Sequence, residues 1–378
     1  MPRTEKEPTV QNESAFKHLF NQTLITRIVK ALQGAYPTFN QKQFKIHIKG
    51  IEKLEMKARV HLLRDAMAAT LPTHYPAALK ILLESTTSGA LKGFDIWPYT
   101  EYIQKYGLDH HALSLHALKT LTSLFTSEWA VRPFLRTAPG ETLSWLEKCA
   151  KDRNAHVRRW ASEGSRSRLP WGERLNHLIA HPKLTLPILE SLKHDPELYV
   201  RKSVANHLND ISKDNPTLVI NTLKRWLKEA RPDQRPRIDW ILKHALRTMI
   251  KSGDRNALEL IGVAPDAPVV ISQFRIDREK VTLGERVGFT FVVHSKSQRP
   301  EKLVVDYIIH YLRANGKHSA KVFKLKTISL PAKARVPITG KHHFREVTTR
   351  THYSGEHRLE IQINGRILKK VTIQLKTS

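Results

Sequence analysis

One cysteine, Cys149, in 378 residues leaves no partner for a disulfide within the chain and no thiolate set for a zinc or iron–sulfur centre. Folding has to rest on packing, and a reducing compartment is expected. No run approaches the ~18 consecutive apolar residues of a membrane-crossing helix, and the first thirteen residues, MPRTEKEPTVQNE, lack the apolar centre of a signal peptide. A soluble, cytoplasmic chain without a membrane partner is the expectation. Acidic residues are scarce too: 35 Asp+Glu stand against 63 Lys+Arg, a net charge of +28. Each Lys or Arg that neutralises a phosphate releases a condensed counterion, so the excess points to a polyanion, nucleic acid ahead of a membrane surface. Apolar content is not scarce. With 40% hydrophobic and 7% aromatic residues the chain can bury a core, which excludes a mainly disordered basic tail.

A chain of this length usually divides into two domains. Up to residue 263 apolar residues recur at helical spacing, broken by Pro, Gly and Asn-Pro signals, and predict a series of short helices. From Asp266 onward the pattern alternates, as in VVISQFRI, RVGFTFVVH, HRLEIQI and LKKVTIQL, with Asn364-Gly365 as a hairpin turn. The expected fold is therefore a multidomain α plus β chain, all-α over 1–263 and all-β over 266–378. The segment GVAPDAPVV joins them, its prolines closing off a helix. Residues 266–378 hold 22 Lys+Arg and 9 Asp+Glu, a net of +13 that leaves +15 for the helical part. Both parts are thus candidates to touch a polyanion, although a basic sandwich surface also serves solubility.

The helical part carries a weak internal repeat. DRNAHVRRWASEG from Asp152 lies over DPELYVRKSVANH from Asp195, matching Val157-Arg158-Arg159 to Val200-Arg201-Lys202 at an offset of 43 residues. That period is typical of HEAT-like helical pairs, which stack into a solenoid with a concave face; a non-repetitive bundle is the alternative. In VRKSVANHLNDI, residues 200–211, Val200, Val204, Leu208 and Ile211 form the core stripe. Lys202, Asn206 and Asp210 form a second stripe, with Arg201 and Asn209 beside it. Arg159 with Glu163 and Glu128 with Arg132 are also one helical turn apart. Such pairs commonly stabilise a solvated face by a few tenths of a kcal/mol, on the order of 0.2–0.5. The alignment pairs Glu163 with Asn206 and not with Asp210, so any meeting of the carboxylates depends on curvature.

Arg158, Arg159, Arg166, Arg168 and Arg174 cluster around Trp160 and Trp171, a mixture that suits a surface following a nucleic-acid backbone. Trp160 follows Val157 by three and is expected in the core. Trp171, in SRLPWGE between Pro170 and Gly172, sits at a turn from which it can project, and an exposed indole near carboxylates can receive a cationic ring; packing at a helix junction is the other reading.

The stretches SEWAVRPFL (127–135), HVRRWASEGSRSRLPWGERL (156–175) and YVRKSVANHLNDISKDNP (199–216) resemble the defining segments of the AlkC family of bacterial DNA alkylation-repair glycosylases. LEMKARVHLLRDAMAATLP (54–72), GFDIWPYTEYI (93–103) and ILKHALRTMIKSGDRNALELIG (241–262) extend the resemblance over nearly the whole helical part. It implies a HEAT-like solenoid that grips duplex DNA on its concave face without swinging the lesion into a deep pocket, unlike enzymes that flip the base. It also implies an immunoglobulin-like sandwich at the carboxy-terminal end, where Tyr353 is similar to a tyrosine corner. The implied activity is monofunctional hydrolysis of the N-glycosidic bond of cationic bases, chiefly 3-methyladenine and 3-methylcytosine, by a monomer without cofactor or metal, associated with the bacterial nucleoid. Carried over by motif, Glu128, Glu163 and Asp210 are the acidic catalytic cluster and Trp171 the lesion-side aromatic. Arg158, Arg159, Arg166, Arg168, Arg201, Lys202 and Asn206 are the expected DNA-binding set. Trp160 departs from the family, which more often has an aliphatic residue there.

Carboxylates suit such chemistry because a cationic base already leaves readily; what remains is to stabilise an oxocarbenium-like sugar and place a water. A non-enzymatic HEAT scaffold binding nucleic acid or an acidic protein is the competing reading. A metallohydrolase is weaker: His177 and His181 stand four apart in HLIAH, but Leu178 occupies the position of the glutamate in the zinc motif.

Overall fold

The structure, a computed structural model, describes residues 16–347 and 350–377. The segment in which no signal peptide is read lies outside the described residues. Helices α1 (Gln22–Ala35), α2 (Gln41–His47), α3 (Met56–Thr70), α4 (Tyr75–Ser85), α5 (Trp97–Tyr106), α6 (His111–Leu121), α7 (Arg132–Thr137) and α8 (Pro139–Cys149) are followed by α9 (Ala155–Gly164), α10 (Asn176–Ala180), α11 (Leu186–Leu192) and α12 (Leu198–Ile211). Then come α13 (Pro216–Glu229), α14 (Arg235–Ala245), α15 (Arg247–Lys251) and α16 (Arg255–Leu260). A few helix starts have side-chain caps: Asn21 accepts from the Thr23 and Leu24 amides at α1, and Asn154 from the His156 amide at α9.

Two rows of helices make up the first compact unit, the described residues up to Asn215 with 230–241. In one row α1 packs on α4, α4 on α6, α6 on α8 and α8 on α11; in the other α3 packs on α5 and α9 on α12. This two-layer stacking is the repeat architecture foreshadowed by the 43-residue offset. The core stripe of α12, Val200, Val204, Leu208 and Ile211, is buried throughout, and Trp160 is fully buried in α9.

The second unit comprises residues 216–229 and 242–378, so it begins before the strands do. Its sandwich has a three-stranded sheet, β1 (Val269–Ile276), β3 (Arg286–Ser295) and β6 (Arg335–His343), in the order β1-β3-β6. The facing sheet runs β2-β8-β7-β4-β5, from β2 (Lys280–Thr282), β4 (Glu301–Leu312), β5 (His318–Leu330), β7 (Gly355–Ile363) and β8 (Arg366–Lys376). Val287, Phe289, Phe291 and Val293 of β3 alternate inward against Leu303, Val305 and Ile309 of β4. β4 is buried on both faces, because outward-pointing Val304 packs with Leu258 of α16 and Val263. Asn364 and Gly365 both have positive φ, the requirement of the tight β7–β8 hairpin. A Cβ on Gly365 would lie 2.4 Å from the Cα of Gly253, so two backbones touch there. Tyr353 does not form the expected corner: it is 36% exposed and makes no hydrogen bond among the described residues.

A buried carboxylate cluster on the helical unit

The two halves of the sequence repeat make the same local contacts. Arg158 donates to the carbonyls of Asp152 and Arg153 at 3.0 and 2.8 Å, and Arg201 to those of Asp195 and Pro196 at 2.6 and 2.8 Å. Asp152 accepts from the Asn154 amide and Asp195 from the Glu197 amide, both two residues on. Arg158 also pairs with the buried Asp195 at 2.6 Å. Each arginine therefore ties the turn before its helix to the helix itself, a structural task that the sequence reading, which places both on DNA, did not include.

Downstream of these struts the carboxylates converge. Arg159 bonds the Glu128 carboxylate and reaches Glu163 at 3.5 Å; Arg166 bonds Glu163 at 2.6 Å and Asp210 at 2.7 Å; Lys213 closes the row on Asp210 at 3.1 Å. Glu128, Glu163 and Asp210 are all buried. Signs thus alternate through six side chains drawn from three places, the loop before α7, α9 with the residues just after it, and the last turn of α12 with the residues just after it. Close packing makes this possible: a Cβ on Gly164 would fall 2.6 Å from a Val131 methyl, so only glycine lets Glu163 come so near the Glu128 loop. Arg159 and Arg166, expected on phosphates, sit inside the cluster instead, because three carboxylates this close cannot stay charged without cations between them.

The expected Glu128–Arg132 pair does not form. Arg132 is buried and donates to the carbonyls of Gly164 at 3.1 Å, Arg166 at 2.8 Å and Glu173, holding the SRLPWGE turn against α9. Burial lowers its pKa to about 10. Burial raises the Glu128 carboxyl; Arg159 draws it back, but with Glu163 close by it stays above the usual carboxylate range. Burial acts the same way on Glu163, yet Arg159 and Arg166 outweigh it and hold Glu163 below that range. Burial also keeps His207, whose Nδ1 lies 3.0 Å from the Ser162 carbonyl, down at about 4 and so neutral at physiological pH.

Trp171 stands beside this cluster with φ of 63°, a left-handed conformation that a bulky residue adopts only when its surroundings impose it. Lys57 donates to its carbonyl at 2.7 Å, and Trp129 donates to the Pro170 carbonyl at 3.0 Å while stacking on the Trp171 ring at 6.1 Å. The indole remains 41% exposed. Tyr199, also exposed, lies over the Arg159 guanidinium at 5.3 Å. Of the remaining expected DNA contacts, Lys202 is exposed, Asn206 half-buried, and Arg168 pairs with Asp214 at 2.8 Å near the surface. Among the described residues no group of three His, Cys, Asp or Glu side chains is placed to hold a metal ion.

The whole architecture recurs in a solved structure, Pseudomonas fluorescens alkylpurine DNA glycosylase AlkC bound to DNA containing an abasic site analog. It superposes with a TM-score of 0.89 at 39% identity, over 95% of this chain and 99% of that one. The chain belongs to the AlkC family. A second relative, the uncharacterized protein YhaZ of Bacillus subtilis (strain 168), is 36% identical over 361 residues, 95% of this chain and 99% of its own length. The family model for the YhaZ C-terminal Ig-like domain matches residues 270–377, the strands of the second unit. Within this AlkC family member, sequence reasoning passed over Trp129 and Tyr199, and gave Arg132 only a pairing with Glu128. The available signal was slight: Trp129 directly follows Glu128 inside SEWAVRPFL, and Tyr199 precedes the repeat motif Val200-Arg201-Lys202.

Proposed function

We propose that the protein is a monomeric DNA N-glycosylase that releases cationic alkylated bases, chiefly 3-methyladenine and 3-methylcytosine, from duplex DNA. The observation that carries this reading is the burial of Glu128, Glu163 and Asp210 together in a chain of net charge +28. Carboxylates repel phosphates, so three of them gathered at one point on a strongly basic chain, even with Arg159, Arg166 and Lys213 interleaved, call for a task, and stabilising the positive charge that develops on an oxocarbenium-like sugar is one. The solved AlkC relative, an alkylpurine DNA glycosylase bound to abasic DNA, supports the same assignment.

In the proposed reaction the glycosidic electron pair leaves with the cationic base, which departs neutral. Glu163 and Asp210 stabilise the charge that develops on the sugar. A water oxygen bonds to the anomeric carbon and its proton passes to a carboxylate. Glu128, whose pKa is raised, is the best matched acceptor, since proton affinities pushed apart within one site separate the base from the electrostatic groups. Trp171 stacks beside the lesion. Arg168, Lys202 and Asn206 contact flanking phosphates, while Arg158, Arg159, Arg166 and Arg201 act by holding the site together. The sandwich gives a second DNA contact through Lys317, Lys341, Arg345 and Arg350, in the minor groove. Arg350 stacks 3.6 Å from the Tyr311 ring beside a cavity of about 560 Å³ that Arg313 and Tyr353 also line. The protein then works in the cytoplasm, on the nucleoid. Incubation with methylated duplex DNA should yield free 3-methyladenine and 3-methylcytosine with matching abasic sites; DNA binding without release would leave the HEAT-scaffold reading in its place.

A further inference from the structure

Among the described residues of the helical unit, Trp171 is the one non-glycine position with positive φ. Bulky side chains avoid such a backbone, so some other part of the fold has to hold it there. Packing around the ring does not. The indole is 41% exposed, and a cavity of about 290 Å³ lies beside the turn, lined also by Lys57, Trp97, Trp129 and Arg132. Trp171 leans on Trp129 alone, which stacks in turn on the buried Trp97 at 5.0 Å.

What holds the turn is a set of hydrogen bonds to its carbonyls. Within four residues three carbonyls accept from side chains of distant elements: Pro170 from Trp129 Nε1 at 3.0 Å, Trp171 from Lys57 Nζ at 2.7 Å and Glu173 from Arg132 Nε at 2.9 Å. Trp129 lies in the loop before α7, Lys57 in the first turn of α3 and Arg132 at the start of α7. Gly172 leaves room for the guanidinium, since a Cβ there would lie 3.0 Å from Arg132 Nε. That guanidinium also binds the carbonyls of Gly164, next to Glu163, and of Arg166. The clamp thus joins the Trp171 turn to the backbone that carries the carboxylate cluster.

Lys57 is the informative member. It is exposed, it stands 114 positions from Trp171, and the Trp171 carbonyl is its one hydrogen-bond partner among the described residues. In a chain of net charge +28 an exposed lysine reads first as a phosphate contact, yet this ammonium is turned onto a backbone carbonyl. Three donors on one short turn over-determine a strained conformation, which is the condition under which such strain persists at functional sites. A base that stays in the duplex is not enclosed by the protein, so the aromatic that meets it has to be in position beforehand. An indole free to swing would have to be ordered again at every encounter, and release would slow.

We propose that Lys57 is a positioning residue for base release: with Trp129 and Arg132 it fixes the Trp171 turn, so that the indole stands beside the carboxylate cluster before damaged DNA arrives. The inference rests on the glycosylase reading and deepens it by naming what holds the lesion-side aromatic. The test is a double-mutant cycle on the full chain, read by single-turnover release of 3-methyladenine from methylated duplex DNA at saturating enzyme. Lys57→Met should slow release by about tenfold in the wild-type background. In a Trp171→Ala background it should cost no more than about twofold, because the group being positioned is gone. Lys57→Arg, which keeps a donor, should recover most of the rate. The near-ultraviolet circular dichroism of the Trp129–Trp171 stack should change in Lys57→Met and show no such change when the substitution is made in Trp171→Ala. A general loss of stability slows both backgrounds alike, so equal slowing overturns the proposal. Release by Lys57→Met at the wild-type rate overturns it too, and a salt slope for undamaged duplex lowered by about 0.9 would then make Lys57 a phosphate contact. In both cases release by the wild type leaves the glycosylase reading standing. If the wild type releases no base, that reading falls and the positioning role falls with it.

Discussion

Replacing Asp210 by Asn separates catalysis from binding and from stability in one variant. Asp210 is 2% exposed and accepts from Arg166 at 2.7 Å and Lys213 at 3.1 Å. The substitution keeps shape and removes one negative charge. A carboxylate about 4 Å from a developing sugar cation contributes about 4 kcal/mol at an effective dielectric constant of ~20. At about 1.4 kcal/mol per decade, its loss should slow base release by about a thousandfold. The amide oxygen can keep one of the two donor contacts, and losing the other costs about 1–3 kcal/mol, so melting should fall by several degrees with the fold intact. Removing an anion cannot weaken attraction to phosphates, so affinity for duplex DNA containing an abasic analogue should stay within about threefold. Single-turnover release of 3-methyladenine, titration of abasic DNA and a thermal melt read the three effects independently. Loss of affinity in proportion to loss of rate would refute the catalytic assignment, as would a rate change below about tenfold.

Three further outcomes are expected. Arg158→Gln and Arg201→Gln should each destabilise the helical unit by about 1–3 kcal/mol, through lost bonds to the buried Asp195 and to the preceding turn, while leaving the salt dependence of DNA binding nearly unchanged; Arg168→Gln should do the reverse. Combined substitution of Lys317, Lys341 and Arg345 by Ala should reduce the slope of log affinity against log salt by up to about 0.9 per lost phosphate contact, and an unaltered slope would remove the sandwich from the DNA interface. Acid should destabilise the protein through its buried histidines: burial holds His207 down at about 4 and His342 down at about 3, against about 6.5 in the unfolded chain. Below pH ~6.5 the unfolded state takes up protons that the native state refuses, so stability is lost as pH falls toward 4. Urea titrations at pH 7.5 and 5 check this, and His342→Gln should flatten the dependence; a pH-independent midpoint would contradict it.

Some of the site was legible residue by residue. Glu128, Glu163, Asp210 and Trp171 could be named because they stand in long, specific motifs, and the 43-residue repeat marked α9 and α12 as packing partners. The roles of the arginines were not legible. Spacing along one helix offers Arg132 to Glu128, whereas the fold gives Glu128 to Arg159, 31 residues away, and turns Arg132 toward backbone carbonyls. Arg158 and Arg201 read as surface cations because nothing local shows that their guanidinium groups fold back onto the preceding turn.

By itself the amino-acid order determined the succession of helices and strands, the sign of the partner's charge and the identity of the acidic residues, because periodicity, net charge and motif are properties of neighbours in the chain. Only the tertiary structure decided which cation faces which anion, that three carboxylates from separate elements share two arginines, and that a tryptophan-walled space opens beside them. Those features depend on contacts between residues 31 to 114 positions apart, set by how helix pairs stack, and a glycine such as Gly164 reveals its purpose only when the second surface is against it.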